Sequence, residues 1–490
     1  MTVEYDLIVI GGSTTATYVA VTAAHWNARV ALVEPPESQT NGFSHGTLYT
    51  QALTHVGCVA QHMADAPQLG ISVGKDDLTQ QPAAPFIQWN EAMQWAKAIV
   101  YTQSEQNSLP ILASLGVDVI TGCGEFCRRP HLGFIVNDRR LRGRTYLIAT
   151  GSRPAIPDIE GLKTISYLTT ADFWQLDLSL RLRGSWVVIG GEPMGTQLAQ
   201  TLARLNCEVT LVVSTPQILS GEDPEASSLV QAQLEAEGIR VLTNSPVTQM
   251  RRIDDKKWIQ AGDQAIEADE ILLATSQQPN VESLNLDGVG VKYNQQRIQL
   301  NEKLQTTNPR IYACGDVAGG SQFAHIAQYE ASIALKNALF APLFKVNYQG
   351  IPWAIFTDPQ LARVGLTEAQ ARLRYHKDVF VARHYFKTLD KAQLLGKTTG
   401  FCKIVGRQNG EILGASIVGP EASELIGTIA FAIQHKIKVG AIADFPQVSS
   451  TLSEILQKTA MEWRQQRLSR NQALQNVLEG LFTLRRQWNR

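Results

Sequence analysis

Cysteine is scarce. Six in 490 residues are too few and too scattered for a disulfide framework. A surplus of either charge is also missing: 44 basic against 45 acidic residues give a net charge of -1, which removes the electrostatic case for a nucleic-acid binder. No apolar run approaches the roughly 18 residues of a membrane span. The first apolar run begins near residue 6, leaving no room ahead of it for a signal or transit peptide. A cytoplasmic protein is therefore expected. The remaining composition, 44% hydrophobic and 18% charged, is ordinary for a globular chain, and the length calls for two to four domains.

The stretch YDLIVIGGSTTATYVAVTAAHWNARVALVE, from Tyr5 to Glu34, organises the rest. Its apolar run Leu7 to Ile10 reads as a parallel strand buried on both faces. Gly11 and Gly12 break it, and Thr14 opens a small-residue helix running to Asn27. A second strand, Val30 to Val33, ends in Glu34. An acid about 20 residues beyond a glycine turn is placed for a ribose, while the helix N-terminus faces a pyrophosphate. The GxGxxG frame falls on Gly11, Ser13 and Ala16. Ser13 stands where the backbone should approach the pyrophosphate, and its hydroxyl is expected to donate to a phosphate oxygen.

A loop then leads into a helix beginning near Gly46, and a second helical stretch is predicted from about Phe86 to Leu115, with Trp89, Met93, Ala96 and Val100 as its core stripe. Strands follow at Val117 to Ile120 and through HLGFIVNDRRLRGRTYLIAT, with a hairpin turn at Asn137-Asp138. Trp186 to Val213 repeats the strand, glycine turn, helix, strand pattern. A further strand spans Ala268 to Thr275, RIYACGDVAGG reads as strand, turn and helix start, and from about residue 349 alternating strands mark an α+β domain. Residues 461–490 read as a basic amphipathic helix or helix pair with Leu474, Leu478, Leu481 and Trp488 on one face. Docking on the protein's own surface or on a partner subunit is expected there, with a peripheral membrane contact as the lesser alternative. Cys58, Cys207, Cys314 and Cys402 are expected to be small buried hydrophobes. Cys123 and Cys127, about 13 Å apart if extended, are too distant for a disulfide, and no metal site is expected.

In order along residues 5 to about 458, the segments DLIVIGGSTTA, ATGSRPAIP, VVIGGEPMG, TTNPRIYACGDVAGG, PWAIFTDPQLARVGLTEAQA, GASIVGPEASELI and SSTLSE resemble the FAD-dependent pyridine nucleotide-disulfide oxidoreductases, the family of glutathione reductase, lipoamide dehydrogenase and mercuric reductase. The resemblance implies an α/β fold with two Rossmann-like dinucleotide-binding domains, of FAD and NAD(P) type, a C-terminal α+β dimerisation domain and a helical tail. Residues 1–155 with 281–348 would bind FAD, 156–280 would form the NAD(P)-like domain, 349–460 would dimerise, and 461–490 would form the tail. A homodimer is implied. So are FAD contacts from Gly11, Gly12, Ser13, Thr14, Ala16, Glu34, the Ala149-Thr150-Gly151 turn and the Gly315-Asp316 pair, Asp316 taking the flavin's ribityl hydroxyls.

The catalytic half departs from that pattern. Gly42 and Thr47 occupy the positions of the redox cysteine pair, and Ser449 that of the catalytic histidine, with Glu454 kept. The helix lysine becomes Gln51 and its glutamate partner becomes Gln197, a paired change that avoids an unpaired buried charge. At the nicotinamide site the middle glycine is Glu192, the ribose position is Val213, no arginine cluster follows, and the later turn reads Ala274, Thr275, Ser276, Gln277. A weakened pyridine nucleotide site is expected, leaving NAD(P)H doubtful as a cofactor. Two readings stay open: an FAD oxidoreductase passing electrons without a disulfide relay, with donor and acceptor undetermined, or a non-catalytic FAD-binding dimer serving sensing, structure or partner binding.

Overall fold

The computed structural model describes residues 3–36, 43–71, 87–105, 108–174, 184–320 and 323–488. Their contacts divide into two compact units, residues 1–214 with 245–346 and residues 215–244 with 347–490.

In the first unit, β1 (Tyr5–Ile10) leads through α1 (Thr14–His25) into β2 (Val30–Glu34). The apolar run that marks β1 in the sequence is buried outright, Leu7 to Val9 at 0% exposure, because strands flank it, α1 packs on one face of the sheet and Phe126, Phe134 and Leu141 pack on the other. α2 (Phe43–Asp65), α3 (Trp89–Glu105) and α4 (Leu109–Ser114) follow. The single helical stretch expected from Phe86 to Leu115 is thus two helices. Pro110 falls in the first turn of the second, where its missing N–H costs nothing, whereas inside a continuous helix it would remove a hydrogen bond. Of the predicted stripe, Met93 and Ala96 are buried, while Trp89 and Val100 are half-buried.

Next come β3 (Asp118–Thr121), β4 (Gly124–Cys127), β5 (Gly133–Val136), β6 (Arg139–Leu141), β7 (Gly143–Ile148), β8 (Ser152–Pro154) and β9 (Leu168–Thr169). Asn137 and Asp138 both take positive φ, 49° and 59°, the two-residue hairpin turn that the sequence predicts. The second βαβ repeat is β10 (Ser185–Ile189), α5 (Pro193–Arg204) and β11 (Glu208–Val212). A meander of β13 (Val247–Ile253), β14 (Lys256–Ala261) and β15 (Gln264–Ala268) precedes β16 (Glu270–Leu273), β17 (Gln277–Pro279), β18 (Ile311–Ala313) and α7 (Ala324–Leu339). The GD turn after β18 is a short 3-10 turn, Gly315–Ala318, and not the start of a helix. One sheet runs β18-β7-β1-β2-β3, and β11, β10, β16 and β9 lie side by side in a second, with parallel pairing throughout both groups.

The second unit holds α6 (Pro224–Ala236), β12 (Arg240–Leu242) and an antiparallel sheet in the order β19 (Pro352–Ile355), β20 (Gln360–Gly365), β23 (Ile412–Gly419), β22 (Phe401–Arg407), β21 (Val379–Tyr385). α8 (Glu368–Tyr375), α9 (Asp390–Leu394), α10 (Ala422–Gln434), α11 (Val439–Asp444), α12 (Glu454–Arg470) and α13 (Gln472–Trp488) complete it. Its core joins Phe386, Ile417, Ile429 and Trp463. Buried Lys403 on β22 lies 2.8 Å from Asp223 and 3.5 Å from Glu368, and Arg363 pairs with buried Glu222 at 2.8 Å. Charges so enclosed are tolerated because each has an opposite partner. Among the described residues no helix is long and apolar enough to cross a membrane.

Candidate functional site

Parallel pairing places the carboxyl ends of β1, β2, β7 and β18 at one level. Gly11 N–H donates to the Val33 carbonyl (2.8 Å), Ala149 N–H to Ile10 (2.8 Å) and Cys314 N–H to Ile148 (3.1 Å). Gly11 has φ +138°, and a Cβ there would stand 2.2 Å from the Ala149 carbonyl oxygen. Only glycine permits that approach. Together the Gly11–Thr15 turn, Ala149–Ser152 and Cys314–Asp316 line a cavity of about 420 Å³, joined by Val33, Pro35 and Gly122–Gly124.

Of the residues that the sequence proposes for the cofactor, Gly11, Gly12, Ser13, Thr14, Ala149, Thr150, Gly151, Gly315 and Asp316 line this cavity. Two do not. Ala16 is fully buried in the core packed against β1, so it serves close helix–strand packing. Glu34 is half-buried at the end of β2, its carbonyl accepting from Gly122 N–H at 2.8 Å, while the cavity lining on either side of it is Val33 and Pro35. Ser13 also departs from expectation. Its oxygen accepts from Ala16 N–H (3.2 Å) as the N-cap of α1, and its hydroxyl donates to the Ala149 carbonyl at 3.0 Å. The one hydrogen is committed within the protein, and the helix start outcompetes the phosphate role read from sequence.

Asp316 stands largely buried in the cavity wall. Burial pushes its carboxyl above the ordinary range, partly offset by the Ser152 hydroxyl, which donates to Oδ2 at 3.3 Å. A carboxylate accepts several hydrogen bonds, and enclosing one with a single long hydroxyl contact is unfavourable without further donors. Vicinal hydroxyls of a sugar alcohol would supply them, so the residues present fit the ribityl chain of a flavin.

Sequence reasoning missed the residues that hold this wall. Buried Glu330 on α7 accepts from Gly315 N–H at 2.8 Å, fixing the GD turn at φ +73° for Gly315. Asn280 clasps Thr150 reciprocally: Thr150 Oγ1 donates to the Asn280 carbonyl (2.8 Å) and Asn280 Nδ2 to the Thr150 carbonyl (3.0 Å). Asn280 ends the ATSQQPN segment, which offered a signal. Glu330, whose partner is 15 residues away, offered none.

The second turn copies the backbone of the first. Gly190 has φ +122° with a would-be Cβ 2.2 Å from the Ala274 carbonyl oxygen, and Gly195 is held 2.0 Å from the Gly190 carbonyl oxygen by the same measure. Its side chains differ. A Cβ on Gly191 would meet Val213 Cγ2 at 2.7 Å, so buried Val213 rests on the turn. Exposed Glu192 is the N-cap of α5 without a side-chain capping bond, and Pro193 follows it. Thr275 Oγ1 donates to the Ala155 carbonyl at 2.8 Å.

Of the altered catalytic positions, Gly42 lies outside the described residues and Thr47 falls within α2. Gln51 is half-buried on α2 and Gln197 buried on α5. Gln197 Nε2 donates to Thr54 Oγ1 (3.1 Å), which meets Thr201 Oγ1 at 2.8 Å. The seam continues with the Arg204 guanidinium donating to Cys58 Sγ at 3.3 Å. Cys58 is therefore a half-buried hydrogen-bond acceptor, not a buried hydrophobe. Ser449 is exposed in a turn before half-buried Glu454. All six cysteines are free thiols. Burial pushes the Cys207 and Cys402 thiols up to about 12 and raises Cys314 as well, whereas Cys123 is exposed on the cavity wall. Among the described residues no cluster of metal-ligating side chains occurs.

Residues 5–331 match the pyridine nucleotide-disulphide oxidoreductase family model and residues 351–460 the dimerisation domain of that family. A mercuric reductase of Staphylococcus aureus is 30% identical over 465 residues, covering 94% of this chain and 82% of that protein. A dihydrolipoyl dehydrogenase of Chlamydia pneumoniae is 30% identical over 465 residues, covering 94% and 97%. In fold, the chain is similar to the HOCl-induced flavoprotein disulfide reductase RclA of Escherichia coli (TM-score 0.78, 23% identity, 93% of this chain and 99% of that one). It is similar also to LpdA of Mycobacterium tuberculosis (TM-score 0.81, 23% identity, 93% and 99%).

Proposed function

Because the chain belongs to the pyridine nucleotide-disulphide oxidoreductase family, whose cofactor is FAD and whose dimerisation domain it carries, we propose that it is a homodimeric FAD oxidoreductase that works without a disulfide relay. The observation that carries this reading is the contrast between a cofactor cavity with Asp316 in its wall and a sequence whose first cysteine is Cys58. Bound flavin supplies hydride and electron transfer between a reductant and an acceptor such as a quinone, a second nucleotide or oxygen.

The chain's own residues bind and orient. Gly11 to Thr14 and the Ala149-Thr150-Gly151 turn form the cradle, Asp316 accepts from cofactor hydroxyls, and Glu330 with Asn280 holds both turns in place. Residues 1–155 with 281–348 carry this role, 156–280 form the nucleotide-like domain, 349–460 dimerise and 461–490 form the tail. Gly42, Thr47 and Ser449 supply neither thiol nor imidazole, so turnover of glutathione disulfide, lipoamide or mercuric ion is not expected. Glu192 and Val213 weaken the pyridine nucleotide site. The test is an anaerobic spectrum of the purified yellow protein before and after NADH or NADPH. Slow bleaching at micromolar nucleotide that quickens at higher concentration, with no disulfide or mercuric reduction, supports the reading. Turnover of any of those three substrates overturns it.

A further inference from the structure

α13 is the element that the fold leaves uncovered. Among the described residues none of its side chains is buried, so the docking on the protein's own surface that the sequence suggested encloses no residue of this helix. With about 100° per residue, its large apolar side chains, from Leu484 through Leu474 and Leu481 to Phe482, span an arc of roughly 160° of the helix surface. All but half-buried Leu478 face outward: Leu481 is 52%, Leu484 68% and Trp488 90% exposed. The helix begins beyond residue 460, where the dimerisation-domain match ends.

Charge decides what covers this face. Residues 461–490 hold six arginines and two glutamates, a net +4 on a chain whose total is -1. The arginines of α12 are used inside the unit: Arg464 pairs with Asp444, while Arg467 lies over Trp463 and Arg470 over Phe380. Arg485 differs. Three turns beyond Leu474, it falls within the apolar arc, and it is exposed, with no acidic partner among the described residues. A second copy of α13 packed on this face would touch only a narrow seam and, with the helix's one acid, Glu479, outside the arc, would enclose that guanidinium unpaired, which is costly. At a lipid surface the whole arc is immersed, and Arg485 with Arg486 reaches up to phosphates, which guanidinium binds in bidentate fashion.

We infer that α13 is a membrane-surface helix, seating the protein on an anionic lipid bilayer without crossing it. The experiment is sedimentation of the full-length flavoprotein with vesicles of phosphatidylglycerol mixed into phosphatidylcholine and with phosphatidylcholine alone. Expected is a partition coefficient about tenfold higher on the anionic vesicles, weakened by salt, and lowered at least about tenfold by Leu481→Glu with Leu484→Glu. Flavin content and melting temperature of that variant should match the wild type, since both substituted side chains are exposed. The inference is overturned if the two vesicle types bind equally or not at all, or if the glutamate variant, which loses apolar contact and two units of net positive charge together, binds as well as the wild type, which would mean that α13 is not the element that binds. It is also overturned if the variant changes the subunit number in light scattering, which would make α13 a contact between copies.

Discussion

Two glycine turns in the first unit share one backbone and differ in what surrounds it. Gly11 and Gly190 both take positive φ and lie so close to a neighbouring strand end, Ala149 and Ala274, that an added Cβ would stand 2.2 Å from its carbonyl oxygen in each. Around the first, Ser13 caps the helix, the strand after it ends in Glu34, and a cavity opens toward Asp316. Around the second, Glu192 stands at the helix start without a side-chain capping bond and Val213 packs on Gly191. The turn is therefore a folding device first. What surrounds it differs by two or three side chains that the backbone of the turn does not require.

The sharpest way to separate folding from binding is to strain both turns equally. Gly11→Ala and Gly190→Ala should each cost about 2 to 4 kcal/mol, since each places a Cβ against a carbonyl at disallowed φ. Urea unfolding should show matched midpoint shifts, but only Gly11→Ala should also lower the FAD bound per folded chain. Equal flavin loss in both would break the comparison.

Asp316→Ala should weaken FAD binding about ten- to hundredfold, the worth of hydrogen bonds to a charged group, as read by flavin absorbance after dialysis. Burial raises the carboxyl of the free site, and cofactor hydroxyls favour its charged form. Affinity should therefore be full above that raised value and fall as pH drops through it, and Asp316→Asn should flatten the dependence. A pH profile unchanged in the asparagine variant would remove Asp316 from the site.

Glu192→Gly should tighten NADH or NADPH binding about tenfold, the modest end for an exposed carboxylate that can swing into water, with flavin content unchanged. Rapid mixing across nucleotide concentrations measures it, and no gain would shift the blame to Val213. The smallest effect is Ser13→Ala. It should cost about 1 kcal/mol of stability through the lost cap while FAD stays bound, because the hydroxyl hydrogen already belongs to Ala149. Marked flavin loss would restore the phosphate role.

Much of this molecule is legible from spacing alone. Both βαβ repeats, the Asn137-Asp138 hairpin, the GD turn and the C-terminal α+β domain rest on periodicity and turn chemistry acting over a few residues, which any contiguous stretch of sequence carries. Tertiary structure decided the rest. Ser13 looked free to meet a phosphate until Ala149, 136 residues away, took its hydrogen. Glu330 is an ordinary helical acid until α7 is laid beside the Gly315 N–H. Cys58 looked like core until α5 brought Arg204 to it. In each case the partner comes from a distant segment, and a hydrogen bond is a property of two groups in space that neither segment's pattern contains. The exposed face of α13 has the same origin: its apolar periodicity was plain in the sequence, but only the packed unit shows that its described residues leave that face exposed.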